Sequence, residues 1–317
     1  MQNCSQGVFL SSSHDLAEAY GASIDAAAEH RMSISNPSEI CEKADVEFAL
    51  CWQPELRAFD LYPNLKFVMA VGAGVDALLE HPGLPKHVQI CRVRDPEQGQ
   101  QMAAFAVHEI LHVQRDFDTL SDQARNQVWS EIPLQSPSDV NVTILGSGSM
   151  GRCVAEACVA FGFNVCVAVR TPPADPLSGL RYQHGPQSIQ AAMTDADFVV
   201  NVLPLTKDTA DILNMRTLSQ MRRGSWLVQI GRGEHLVEED LMTLIESGHL
   251  RGASLDVFRK EPLPVGHSYW DHPWLRITPH IASSASAKAI ASQLRQTVLE
   301  MQAGLPLSLA VDRAAGY

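Results

Sequence analysis

No stretch of this 317-residue sequence is apolar for the roughly 20 residues a membrane-crossing helix needs. Nor does it open with a basic flank and a long apolar core, so neither export nor a membrane partner is expected, and a cytoplasmic setting is. Basic residues are few, 24 against 36 acidic ones, and no basic run exceeds Arg222-Arg223. A net charge of −12 argues against nucleic acid or an anionic surface as the main partner. The seven cysteines are odd in number and include no CxxC pair, and several sit in apolar runs. They read as reduced, buried small hydrophobes rather than as disulfides or a metal site. What remains is a chain 45% hydrophobic, enough for a packed interior and long enough for two domains.

The richest stretch is Asn141 to Phe161. Val142-Thr143-Ile144-Leu145 is short, apolar and largely β-branched, as a buried strand is. Gly146-Ser147-Gly148-Ser149-Met150-Gly151 follows, and then a helical pattern with Val154, Cys158 and Phe161 on one side. Gly146 allows the tight turn, Gly148 lets backbone approach a pyrophosphate, and Gly151 brings helix against sheet. The helix N-terminus, with the amides of Ser149 and Met150, then faces the phosphates. A second strand at Asn164 to Val169 completes the dinucleotide-binding signature. That strand ends in Arg170-Thr171 where an NAD-selective site wants an acid, which suits a 2′-phosphate and favours NADPH, with NADH as the alternative.

Short apolar runs recur on both sides of this unit. Before it, strands are expected at Gly7 to Leu10, Met32 to Ser35, Val46 to Trp52, Lys66 to Val71 and Val88 to Arg92. After it, they are expected at Phe198 to Leu203, Trp226 to Ile230, Ala253 to Val257 and Leu275 to Ile277, with a final helix at Ala287 to Gln302. Strands alternating with helices point to α/β layers with doubly wound parallel sheets. Gly72-Ala73-Gly74, just past the fourth strand, is either a plain glycine turn or a nest of amides for a carboxylate.

One motif points elsewhere. His108-Glu109-Ile110-Leu111-His112, on a helix expected at Gln100 to Arg115, matches HExxH of zinc proteases. Arg115 and Asp118 stand where an extended motif would continue, although a third ligand such as Glu131 could come from farther away. A structural helix is the favoured reading.

The later strand ends carry the chemistry. Arg232, between Gly231 and Gly233 that leave room for substrate, can grip a carboxylate and a carbonyl oxygen with its planar fork. His280 can deliver a proton, since an imidazole ordinarily titrates near 6.5. Glu261 can hydrogen-bond the ring's other nitrogen and favour its charged form. Leu203, Pro204 and Ile230, at neighbouring strand ends, are counted with the cofactor contacts. Beside a dinucleotide, this set suits hydride transfer to the ketone of a 2-oxoacid.

These motifs, namely Gly146 to Gly151, Leu203 to Thr206, Gly231-Arg232-Gly233, Leu255 to Phe258 with Glu261-Pro262, and Pro279 to Ala282, resemble the D-isomer-specific 2-hydroxyacid dehydrogenases. Val71 to Asp76 and the closing Val311 to Tyr317 resemble the glyoxylate/hydroxypyruvate reductase branch. The resemblance implies a Rossmann cofactor domain, residues 106–282, inserted into a flavodoxin-like substrate domain made of 1–105 and 283–317, and a homodimer. It implies that Arg232 binds substrate and that Glu261 and His280 form the acid/base pair. Asp256 would lie near the nicotinamide, Gly72, Ala73 and Gly74 would hold the substrate carboxylate, and Trp52 would line a small pocket. Gln229 departs from the family's usual Asn before the arginine turn. The alternatives are a dehydrogenase of a bulkier 2-oxoacid and a nucleotide-sensing protein without turnover.

Overall fold

The computed structural model describes residues 4–313, so the end of the Val311 to Tyr317 segment lies outside the described residues. The chain divides into two compact units: one takes in the chain up to Glu97 and again from Ser284, the other spans Gln98–Ser283. The first unit holds strands β1 (Ser5–Ser11), β2 (Met32–Ser35), β3 (Val46–Trp52), β4 (Phe67–Ala70) and β5 (Gln89–Arg92). All pair in parallel, in the order β2-β1-β3-β4-β5, which is the flavodoxin-like order.

The second unit holds β6 (Asn141–Leu145), β7 (Asn164–Val169), β8 (Leu180–His184), β9 (Phe198–Asn201), β10 (Ser225–Gln229), β11 (Leu250–Leu255) and β12 (Leu275–Ile277). Its order, β12-β11-β10-β9-β6-β7-β8, is the Rossmann arrangement extended by one strand. β8 has no counterpart in the expected strands. It is an edge strand, Leu-Arg-Tyr-Gln-His, with no fully buried residue and so without the apolar run that marks its neighbours.

Each sheet is covered on both faces, which is why its strands read as continuous apolar runs rather than alternating ones. In the first unit the helices Leu16–Ala28 and Ala287–Gln302 cover one face, with Ile24, Ile290, Leu294 and Val298 buried against Phe48, Leu50 and Met69. The last helix runs over the residues expected, capped by Ser286, whose hydroxyl accepts from Ala289 N–H at 3.2 Å. In the second unit Ala103, Ala106, Val107 and Ile110 of helix Pro96–Gln114 join Val154 and Cys158 over β6 and β10. That packing moves the first unit boundary from 105/106, as read from sequence, to Glu97/Gln98; the second falls at 283/284 instead of 282/283. Cys51, Cys91, Cys158 and Cys166 are buried free thiols, but Cys4 and Cys41 are exposed, against expectation. Burial pushes the thiols of Cys91 and Cys158 up to about 12, which keeps them unreactive. Among the described residues no helix is long and apolar enough to cross a membrane.

Candidate active site

Register builds the site. Leu145 pairs with Asn201, Asn201 with Gln229, Gln229 with Leu255 and Leu255 with Ile277, so five strands end on one row across the sheet. The turns that follow the row carry the glycine motif, Leu203-Pro204, Gly231-Arg232-Gly233, Asp256 to Glu261, and Thr278 to His280. Order reverses between β6 and β9, and the crevice beyond such a switch point is where open α/β sheets bind ligands.

The glycine turn behaves as its spacing predicts. Gly146 has φ +107°, a conformation costly for any residue with a Cβ. A Cβ on Gly151 would lie 2.1 Å from the Gly146 carbonyl oxygen and 3.1 Å from Val202 Cγ2, so helix Ser149–Ala160 can approach the strands only with glycine there. At Gly148 a Cβ would meet no protein atom, so any steric demand on that position comes from a ligand. The first helical turn carries no acidic side chain and leaves its N–H groups toward the row. These residues fit a dinucleotide pyrophosphate. Gly146 N–H donates to Ala168 O at 3.2 Å, which brings the end of β7, and the exposed Arg170 and Thr171 beyond it, beside the turn.

The arginine turn holds a correction. Gly231 and Gly233 do not make room for substrate, because protein occupies the space a Cβ would fill. On Gly231 it would sit 2.9 Å from both Asn201 Nδ2 and His235 Nδ1; on Gly233, 2.0 Å from the Phe258 carbonyl carbon. The glycines let the Arg232 turn nest between β9 and the 256–261 segment. Gln229, the departure from Asn, is fully buried and donates through Nε2 to the Arg232 carbonyl at 2.9 Å. Arg232 itself is half-buried, and its Nη1 donates to the Gly231 carbonyl at 2.8 Å.

His280 and Glu261 meet as expected, with Nδ1 and Oε2 2.8 Å apart. The carboxylate's other oxygen accepts from Phe258 N–H at 2.9 Å. Burial pushes the Glu261 carboxyl up, but the His280 and Phe258 hydrogen bonds and the charges of His280 and Arg232 outweigh it and hold the group below the usual range. With Nδ1 engaged, Nε2 is the nitrogen that can pass a proton. His280 adopts a left-handed conformation, φ +56°, which costs about 1–2 kcal/mol unless the surroundings enforce it. Asp256 enforces it. Its carboxylate accepts from Thr278 Oγ1 at 2.6 Å, Ile281 N–H at 2.8 Å and Ala282 N–H at 2.9 Å, while its carbonyl accepts from His280 N–H at 2.9 Å. Burial outweighs these bonds and leaves the Asp256 carboxyl above its ordinary range. Sequence reading assigned Asp256 to the cofactor; in the structure its carboxylate braces the turn that carries His280, a duty without a sequence signature.

In the first unit the structure brings Trp52 and the 72–74 turn together: a Cβ on Gly72 would lie 3.5 Å from Trp52 Cζ3. Arg92, at the end of β5, donates through Nη1 to the Ala73 carbonyl at 3.4 Å. That tie between Arg92 and the turn has no sequence signature, since the two are 19 residues apart.

The HExxH helix is structural. Glu109 is buried and accepts from Ser254 Oγ at 2.6 Å and Arg276 Nε at 2.7 Å, and Ser254 Oγ in turn accepts from Trp226 Nε1 at 2.9 Å. His112 Nε2 lies 2.9 Å from Asp118 and 2.8 Å from Arg276 Nη1. Among the described residues no three His, Cys, Asp or Glu side chains are grouped to hold a metal.

A dinucleotide turn, an arginine and a Glu–His pair on one row of strand ends define a nucleotide-dependent oxidoreductase. Residues 107–282 match the family model "D-isomer specific 2-hydroxyacid dehydrogenase, NAD binding domain". The glyoxylate/hydroxypyruvate reductase A of Serratia proteamaculans (strain 568) is 37% identical over 276 residues, 86% of this chain and 88% of that protein. Two crystal structures superpose over 99% of this chain. One is a D-isomer specific 2-hydroxyacid dehydrogenase from Xanthobacter autotrophicus Py2 in complex with NADPH and MES, with TM-score 0.89, 32% identity and 99% of that chain covered. The other is the NADPH-dependent glyoxylate/hydroxypyruvate reductase of Sinorhizobium meliloti in complex with NADP and sulfate, with TM-score 0.90, 30% identity and all of that chain covered. The chain belongs to the D-isomer specific 2-hydroxyacid dehydrogenase family.

Proposed function

We propose that the protein is an NADPH-preferring reductase of small 2-oxoacids, converting glyoxylate to glycolate or hydroxypyruvate to D-glycerate. The observation that carries this reading is the 2.8 Å His280–Glu261 pair, with Glu261 one and His280 two strand ends from Arg232 on the same row. Arg232 would take the substrate's carboxylate and carbonyl oxygen in its planar fork and stabilise charge building on that oxygen. Glu261 holds the ring by Nδ1, so a charged His280 presents its proton at Nε2. The bound nicotinamide supplies the hydride that reduces the substrate's C2. His280 gives its Nε2 proton to the carbonyl oxygen, which completes the hydroxyl and leaves a neutral ring for solvent to reprotonate.

Gly146, Gly148, Ser149, Met150 and Gly151 would hold the pyrophosphate, with Leu203, Pro204, Ile230 and Asp256 toward the nicotinamide end. Arg170 and Thr171 would take the 2′-phosphate; the NADPH and NADP complexes of related structures support that preference. In the first unit, the amides of Gly72, Ala73 and Gly74 are assigned to a carboxylate and Trp52 to limiting substrate size. The test is oxidation of NADPH and of NADH by the purified protein with glyoxylate, hydroxypyruvate and phenylpyruvate. Fast turnover of the two small acids with NADPH is expected; turnover confined to phenylpyruvate would move the protein to a bulkier substrate. In Arg170→Asp the NADPH preference should collapse, and an unchanged cofactor ratio would remove Arg170 from the phosphate site.

A further inference from the structure

His235 is a fully buried histidine that none of these roles uses. Its Nδ1 faces two donors, the Arg232 backbone N–H at 3.1 Å and the Asn201 side-chain amide at 2.9 Å. Its Nε2 faces the Pro204 carbonyl at 3.3 Å. Backbone groups fix both amides around it. Asn201 Oδ1 accepts from Leu203 N–H at 3.2 Å, so Nδ2 must point to His235. Gln229 Nε2 donates to the Arg232 carbonyl, so its Oε1 accepts from Asn201 Nδ2 at 2.7 Å. With two N–H groups aimed at it, Nδ1 has to be unprotonated, and the proton sits on Nε2 against the carbonyl. The backbone is shaped around this ring, since a Cβ on Gly231 would strike both His235 and Asn201.

We propose that His235, held as the neutral Nε2–H tautomer, is a positioning residue for Arg232. It ties the backbone that carries the guanidinium to the Pro204 carbonyl past β9, so the substrate-gripping turn and the Leu203-Pro204 segment keep one spacing. The consequence for catalysis rests on the reading of Arg232 as the substrate's anchor. A core histidine that merely fills space would leave that anchor where it is.

The experiment compares His235→Leu with His235→Asn, whose carboxamide oxygen can replace Nδ1 as acceptor. In His235→Leu, KM for glyoxylate should rise about tenfold, the size of one lost buried hydrogen bond, while NADPH affinity measured by fluorescence stays within about twofold of the wild type. His235→Asn should recover most of that KM. An unchanged KM in His235→Leu, equal KM values in the two variants, or an NADPH affinity that falls as far as KM rises, would overturn the proposal. The nitrogen spectrum of the histidine rings in the substrate-free wild type supplies a readout that needs neither turnover nor a folded Leu variant. The resonances lost in His235→Asn should report an unprotonated Nδ1 and a protonated Nε2, and a protonated Nδ1 would refute the assignment. A wild type inert toward glyoxylate but carrying that tautomer would defeat the functional reading and leave the hydrogen-bond assignment standing.

Discussion

The two sheets place their special residues alike, past the carboxyl ends of parallel strands, and secure them differently. In the second unit every proposed catalytic side chain or its turn is braced by polar partners: the half-buried Glu261 on His280, and the buried Asp256 on the 278–282 turn, Gln229 and His235 on the Arg232 backbone. In the first unit the Gly72 to Gly74 turn is chiefly backbone, with Trp52 beside it and one long hydrogen bond from Arg92 to Ala73. A site that moves protons needs atoms fixed to fractions of an ångström and recruits second partners for them. A turn that offers amides needs only its own φ and ψ.

The contrast can be broken in order of expected effect. His280→Ala should lose about 100-fold or more in turnover while still binding NADPH. Near-normal turnover would leave the braced turn without a purpose. Next come two glycines of one turn. Gly151→Ala forces a methyl onto the Gly146 carbonyl and should cost about 1–3 kcal/mol of stability, read as a lower Tm. Gly148→Ala should leave Tm nearly unchanged and weaken nucleotide binding instead, so equal melting losses in both would refute the packing argument.

Glu261→Gln should lower turnover by about tenfold and alter the acid limb of stability. Because the Glu261 carboxyl is held below its ordinary 4.5, its contribution is full above that range and disappears as pH falls through the lowered value. Melting curves between about pH 3 and 6 should therefore converge for wild type and variant at the acid end. The smallest effect is expected in the backbone turn. At Gly72 a Cβ would make an ordinary 3.5 Å contact with Trp52, so Gly72→Ala should shift stability by no more than about 0.5 kcal/mol and act on KM alone.

Much of this molecule was legible from its residues because parallel sheets covered on both faces write their strands as apolar runs. β2, β3, β7, β12 and the last helix fall on the residues expected. The edge strand β8 was illegible because half-exposed residues need not be apolar. The Arg, Glu and His of the proposed site could be singled out because each follows a strand end, and sequence orders strand ends even before their pairing is known. Their supports could not. Nothing local marks Asn201, Gln229, His235 or Asp256 as partners of residues on other strands, and the glycines around Arg232 were misread because what crowds them comes from 201, 235 and 258. The HExxH spacing left a metal open for the same reason: a helix motif says nothing of the Arg276 and Ser254 that claim its glutamate, and the structural helix favoured from sequence fits those partners.

The strand that leads to His280 is the shortest in its sheet. β12 has three residues and pairs on one side, with β11, while Arg276 in its middle is clamped to Glu109. Edges of this kind open at a lower free energy than the centre of a sheet. Warming should therefore silence the enzyme some degrees before it melts, with activity vanishing while ellipticity persists. Coincident loss of the two signals would mean that a single arginine clamp makes a three-residue border as durable as the interior.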